Sequence, residues 1–294
     1  MNPDKLYPRI QDLASRIRLL HDHAEKESDL EKCAIMDKAV HALARCIDRD
    51  QPVFGYEPWH PVSDSAGASS PNEMLLRLKD ERGEILPPYE IIMDFYDSGM
   101  TEALDTLLFL LGLRQFTRSA ERQVSINISA RSLLSNDFIK TILGELETLR
   151  VNKQVRDGII IEIHESAPTL VMSKHILGLF HRFGARFAID DVELSLGDTF
   201  RFSEFEDIAS FIKIDRKIVC APQESAHSLP TVISFVRSVL PDAKIVAEGV
   251  QSPEHAIELH RLYPEIDFVQ GRNLPDRETF RDFWRGYTKA ALSF

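Results

Sequence analysis

The sequence predicts an α/β fold, a TIM-like (β/α)8 barrel preceded by an N-terminal α-helical extension. Short apolar runs at Val124–Ile128, Ile159–Ile163, Arg186–Ile189, Phe211–Ile214, Lys244–Ala247 and Ile266–Val269 each read as a buried parallel strand. Helical segments alternate with them, the pattern of right-handed βαβ crossovers. The chain has 294 residues, more than the roughly 250 that a closed eight-stranded barrel needs.

Residues 4–48 form the first element. Leu6, Ile10, Leu13, Ile17 and Leu20 recur at coiled-coil-like spacing, and Met36, Val40, Leu43 and Ile47 repeat it. Charged residues fill most of the gaps, and the break falls near Glu25–Asp29. Residues 1–49 are therefore a helical extension, either packed on its own domain or used to dimerise, and residues 50–294 are the barrel domain. Pro52–Val62 reads as a strand, Ser63–Asn72 as a small-residue loop, Glu73–Leu78 as a strand and Arg82–Pro88 as a turn. Helices follow at Tyr89–Gly99 and Thr101–Arg118. Strands 123–129, 158–164, 185–191, 209–214, 243–249 and 266–270 then alternate with helices 131–150, 171–183, 227–239, 253–262 and 276–290. The stretch 192–208 is irregular, and its Phe200, Phe202 and Phe205 read as a packed helix face. Trp59 and His60 read as core and loop residues. Phe280, Phe283, Trp284 and Tyr287 have helical spacing and are expected to close the barrel.

Composition excludes several classes. The net charge of −11 argues against duplex nucleic acid as a partner, because phosphate binding leans on an excess of Lys and Arg. Three cysteines without a CxxC pair argue against a disulfide framework or a zinc site and fit a reducing compartment. The N-terminus lacks the apolar core of a signal peptide, and the longest apolar stretch, around Leu107–Leu113, falls far short of the roughly 18 residues of a membrane span. A soluble, cytoplasmic protein is expected.

Eight polar residues stand where apolar runs stop: Glu73, Asn127, Glu162, Asp190, Asp191, Lys213, Glu248 and Gln270. A parallel barrel gathers its strand C-termini on one face, so residues distant in sequence meet there. Five acids, two amides and a lysine at such a rim suit two divalent cations and an attacking water, which points to metal-assisted phosphodiester hydrolysis. Each residue alone has a plainer reading. Asp190 and Asp191 can solvate a strand end, Lys213 and Asp215 can form a surface pair worth under about 1 kcal/mol, and Gln270-Gly271 can be a turn.

The segments NEMLLRL, SINISARSLL, IIIEIHES, FAIDDVELS, FIKIDRKIV, IVAEGVQSPEHA and FVQGRNLP occur in this order. Together they resemble the EAL-domain family of cyclic di-GMP phosphodiesterases, whose blocks read EALLR, N-x-S, E-x-T-E, DDFG-x-G, KID, AEGVE and QG. The resemblance implies a barrel of the EAL type. It implies Glu73, Asn127, Glu162, Asp190 and Asp191 as ligands of one or two Mg2+ or Mn2+ ions, with Asp190 bridging. It implies Arg77 on a ligand phosphate, with Leu75 and Gln270 also at the substrate. Lys213 would lie near the attacking water with Glu248, and Glu165 would support the loop after the paired aspartates. The implied reaction opens cyclic di-GMP to linear pGpG, and the implied assembly is a homodimer, with the N-terminal helices as a further surface for a protein partner.

The chain departs from the family pattern at Met74, His164 and Gln251, and most in the loop after Asp191, where Val192, Glu193 and Ser195 replace a phenylalanine and glycines. Glycine reaches backbone conformations closed to other residues, so this loop bears on turnover. Two functions follow: an active phosphodiesterase, or a catalytically weak or inactive module that binds cyclic di-GMP or a protein and signals through residues 1–49.

Overall fold

The computed structural model describes residues 5–62, 70–151, 158–163, 174–195, 202, 205, 208–220 and 227–291. The chain begins with helices α1 (Tyr7–Asp22) and α2 (Glu27–Asp48), then strands β1 (Phe54–Pro58), β2 (His60–Pro61) and β3 (Asn72–Leu76). Helices α3 (Pro88–Asp97) and α4 (Thr101–Phe116) follow, then β4 (Val124–Ile128), a 3-10 turn at Ser132–Leu134 and α5 (Asn136–Val151). The rest alternates: β5 (Ile159–Ile163), α6 (Lys174–Arg182), β6 (Ala185–Val192), β7 (Ala209–Ile214), α7 (Arg216–Cys220), α8 (Leu229–Val239), β8 (Lys244–Ala247), α9 (Pro253–Leu262), β9 (Ile266–Val269) and α10 (Arg277–Ala291). No helix among the described residues is long and apolar enough to cross a membrane. Glu165, His164, Phe200, most of the loop Ser63–Asn72 and the first residues of the helix expected from 171 lie outside the described residues.

The nine strands form one sheet in the order β1-β3-β4-β5-β6-β7-β8-β9-β2. Strands β4 to β9 pair in parallel, as expected. The single strand expected at Pro52–Val62 is instead two strands separated by Trp59, and β2 pairs antiparallel with β9. Proline explains the break. Pro58 and Pro61 each lack an N–H for a ladder, so the run cannot continue through a sheet interior. The two edges of the sheet are thus consecutive in sequence, which makes it a nearly closed barrel.

The chain divides into two compact units. The first comprises 1–55, 74–120 and 131–145 and holds the helical extension. There α1 packs on α2 and α4, and α2 packs on α3. Ile10, Leu13 and Ile17 of α1 and Met36, Val40, Leu43 and Ile47 of α2 are buried, as the heptad spacing predicts. Leu20, expected to continue the stripe, is 36% exposed. The Leu107–Leu113 stretch is a helix buried on all sides.

The second unit comprises 56–73, 121–130 and 146–294. Trp59, Ile160, Ala188, Phe211, Val246 and Phe268 form a buried layer, with the Trp59 ring edge-on to Phe211 at 5.2 Å and 6.2 Å from Phe268. Phe205 packs on Phe187 and Phe202 on Phe235, so these two aromatics are core, as expected. Phe280 of α10 is buried against His60 at 4.3 Å, and Trp284 stacks on Phe280 at 5.9 Å.

His60 is more than the loop residue expected from the sequence. Burial, reinforced by the Arg277 charge and opposed by Asp276, pushes it down to about 4. Its folded pKa lies below its ordinary 6.5, so the unfolded chain takes up the proton first as pH falls. The His60 contribution to stability is full above pH 6.5 and declines toward pH 4, with about 2 kcal/mol of it lost between pH 7 and 5. Urea unfolding across that range is expected to show the native chain losing about 2 kcal/mol relative to His60→Asn between pH 7 and 5. Parallel curves for the two would refute it.

Candidate active site

Alternate residues of a strand share a face. Ile160, Ala188, Phe211, Val246 and Phe268 belong to one buried layer. The residues two positions on are Glu162, Asp190, Lys213, Glu248 and Gln270. A polar layer therefore lies directly above an apolar floor, toward the strand C-termini. Lys213 is 1% exposed and stands 5.8 Å above the Trp59 ring.

The Lys213 ammonium is surrounded by carboxylates. Its Nζ lies 2.6 Å from Glu162 Oε2, 2.7 Å from Glu248 Oε1, 3.0 Å from Asp190 Oδ1 and 3.2 Å from Glu73 Oε2. Glu73 does not end a strand, as the sequence suggested. It is the second residue of β3, because the apolar run follows it. Arg277 secures that point by donating from Nη2 to the Pro71 carbonyl and to Asn72 Oδ1, each at 2.9 Å. Glu73 Oε1 then accepts from Asn127 Nδ2 at 2.7 Å, and its Oε2 accepts from Gln270 Nε2 at 2.6 Å.

In a flat strand Asp190 and Asp191 would point to opposite faces. Here Ile189 pairs with Ile212 and Val192 with Ile214, so both aspartates oppose the single residue Lys213. Such a bulge bends the strand and re-aims its side chains. Asp191 takes a left-handed φ of 52°, a strain that bulky residues rarely tolerate. As a result Asp190, Asp191 and Glu248 each offer a carboxylate oxygen within 4.8 Å of one another. The glycines of the AEGV and QG segments have steric reasons. Gly249 has φ +69°, and a Cβ on Gly271 would stand 2.0 Å from the Val250 carbonyl oxygen.

The electrostatics are unbalanced. Four acids contact one lysine, and Asp191 adds a fifth carboxylate. Burial pushes Glu162 up to about 8, the Glu73 charge adds to this, and Lys213 opposes it. Burial also raises Glu248 well above its ordinary value, against the pull of Lys213 and with the help of Asp190. Burial raises Glu73 as well, but Lys213 and the two amide hydrogen bonds outweigh it and leave Glu73 lowered. Lys213 loses from burial and gains more from Asp190, Glu162, Glu248 and Glu73, so it stays charged.

At the site, three buried amide and carboxylate oxygens, Glu162 Oε1, Asn127 Oδ1 and Gln270 Oε1, have no hydrogen-bond donor among the described residues. A carboxylate only accepts, so Glu73 orients both amides with their carbonyl oxygens turned away from it. An unsatisfied buried acceptor costs about 1–3 kcal/mol, and excess buried negative charge costs more. Carboxylate and amide oxygens without cysteine or histidine suit a hard divalent cation such as Mg2+ or Mn2+. The residues present therefore fit the metal that the sequence implied.

Of the residues singled out from sequence, Glu73, Asn127, Glu162, Asp190, Lys213, Glu248 and Gln270 meet here in direct contact, with Asp191 in the carboxylate cluster. Leu75 and Arg77 belong to the first unit, where both are half-buried and Arg77 Nη1 donates to the Leu76 carbonyl at 2.9 Å. Two contributors went unrecognised. Trp59 floors the lysine, and Glu57 Oε1 accepts from Gln270 Nε2 at 3.0 Å. The alternation of Glu57 with Trp59 across Pro58 was a signal for both.

These features define an α/β barrel with an acidic, oxygen-rich mouth built around one lysine. Residues 41–275 match the model of the EAL domain, and the chain belongs to the EAL-domain family. It is 26% identical over 268 residues to cyclic di-GMP phosphodiesterase PdeR of Escherichia coli strain K12, covering 85% of this chain and 38% of that protein's length. Similar solved structures include the FimX EAL domain of Pseudomonas aeruginosa bound to c-di-GMP, with a TM-score of 0.62 at 17% identity, covering 81% of this chain and 95% of that one. The Xanthomonas citri FimX EAL domain in complex with c-diGMP gives a TM-score of 0.62 at 18% identity, covering 84% and 94%.

Proposed function

We propose that this chain is a phosphodiesterase that hydrolyses cyclic di-GMP to linear pGpG with one or two Mg2+ or Mn2+ ions. The observation that carries this is the triple of donorless buried oxygens on Glu162, Asn127 and Gln270 beside a surplus of carboxylates. The name of PdeR and the ligand in the two FimX domains support the substrate class. Glu73, Asn127, Glu162, Asp190 and Asp191 would hold the metal. When bound, a divalent cation supplies Lewis acidity at a phosphoryl oxygen and lowers the pKa of water.

The chain's own groups do the rest. Hydrolysis joins a water oxygen to phosphorus, breaks one P–O3′ bond and delivers a proton to the departing 3′ oxygen, leaving a 5′-phosphate. Lys213, held by Glu162 and Glu248, stabilises charge developing on the phosphoryl oxygens. Arg77 binds phosphate oxygens through its two-pronged guanidinium, Leu75 and Gln270 contact the nucleotide, and Glu165 supports the loop after Asp191. Residues 50–294 carry the reaction, and residues 1–49 serve association, as a homodimer or with a protein partner.

Incubation with cyclic di-GMP and Mn2+, followed by product chromatography, is expected to yield pGpG. Binding without any pGpG after prolonged incubation would replace this reading with that of a binding module.

A further inference from the structure

The backbone that runs out from the aspartate pair is held in a strained shape. Asp191 takes φ 52° and Leu194 takes φ 63°, both left-handed, although each has a side chain that opposes this conformation. The sheet supports the first part of the segment. Val192 pairs with Ile214, and the Asp215 N–H donates to the Val192 carbonyl at 3.3 Å. Glu193, Leu194 and Ser195 follow outside the sheet.

A side-chain contact ties this outer part to the next element. Lys217 Nζ lies 2.7 Å from Glu193 Oε1. Lys217 belongs to α7, four residues beyond Lys213, and its own N–H donates to Oδ1 of the buried Asp215 at 2.6 Å. The Glu193 hydrogen bond, and then the charges of Glu193, Asp215 and Asp191, raise the Lys217 pKa. Lys217 thus faces the acids of the mouth from outside, while Lys213 faces them from within. An exposed ion pair contributes little to the stability of a whole fold. Its leverage here is local, because Glu193 lies between the two left-handed residues and the bridge opposes the relaxation of both.

We propose that Lys217 is a positioning residue: by tying Glu193 to α7 it keeps Asp191 within the carboxylate cluster that Asp191 forms with Asp190 and Glu248. The consequence for metal binding rests on the reading of that cluster as part of a divalent-cation site. The hold on the loop itself does not.

Two measurements on the full chain test it. The first is hydrogen exchange of the segment 190–195 in the presence of a chelator, and so without metal. Exchange is expected to quicken at least about fivefold in Lys217→Met and in Glu193→Gln, with no further gain in the double variant and near-native rates in Lys217→Arg. The second is isothermal titration with Mn2+, which separates positioning from simple charge. Removing a positive charge beside acids would by itself tighten cation binding. Loss of position is expected instead to weaken Mn2+ binding at least about fivefold in Lys217→Met, and Lys217→Arg is expected to bind like the native chain. Lys217 is exposed, so both variants are expected to unfold like the native chain, and a urea curve checks that the loss is local. Native exchange rates in Lys217→Met would overturn the proposal whatever Mn2+ does. So would Mn2+ affinity that is unchanged or tighter in Lys217→Met. A native chain that binds no Mn2+ would overturn the metal reading of the mouth, and the exchange rates would still decide whether Lys217 holds the loop.

Discussion

Lys213→Ala is expected to lower turnover of cyclic di-GMP by at least about 10^3-fold, roughly 4 kcal/mol of transition-state stabilisation, while ligand binding changes only a few-fold. The ammonium lies within 3.2 Å of four carboxylates and is 1% exposed. The same substitution leaves buried acids without their counter-charge. Losing one partner of a buried ion pair costs about 3–5 kcal/mol, here reduced because the acids can take up protons. Denaturation in the presence of a chelator should therefore show a less stable variant, and added Mn2+ should stabilise the variant more than the native chain. Full turnover in Lys213→Ala would remove the lysine from the mechanism.

The second large effect is expected at Glu73. Its two oxygens accept from Asn127 and Gln270, and its Oε2 also meets Lys213. Glu73→Ala thus removes the proposed ligand and releases two amides whose carbonyl oxygens it had turned away from itself. Mn2+ affinity by isothermal titration is expected to fall at least about 100-fold, because ligand and orientation are lost together. Glu73→Gln retains one acceptor oxygen and should fall between the two. An unchanged Mn2+ affinity in Glu73→Ala would show that this carboxylate neither binds the metal nor orients the amides.

Much of this site was legible because strand periodicity is strict. Once Ile160, Ala188, Phe211, Val246 and Phe268 are read as one layer, the residues two positions on must share its face. The ordered motifs added identity to positions that periodicity had already placed. Other features were hidden for physical reasons. The bulge at Asp190–Asp191 is a pairing irregularity with β7, and nothing within the strand's own sequence encodes it. Glu73 looked like the end of a run, although the apolar residues of β3 lie after it. The split of Pro52–Val62 depends on where the sheet closes, which only the tertiary pairing of β2 with β9 decides. Leu20 fits the heptad, yet burial ends one turn earlier because no neighbour reaches it.

The central claim is that buried oxygens from separate strands converge on a divalent cation. A crystal grown with Mn2+ and measured for anomalous scattering tests it most directly. An anomalous peak at coordination distance from Glu73, Asn127, Glu162 and Asp190 is the predicted result. A fully ordered site at saturating Mn2+ with no peak there, and Lys213 still the sole cation among those carboxylates, would contradict it.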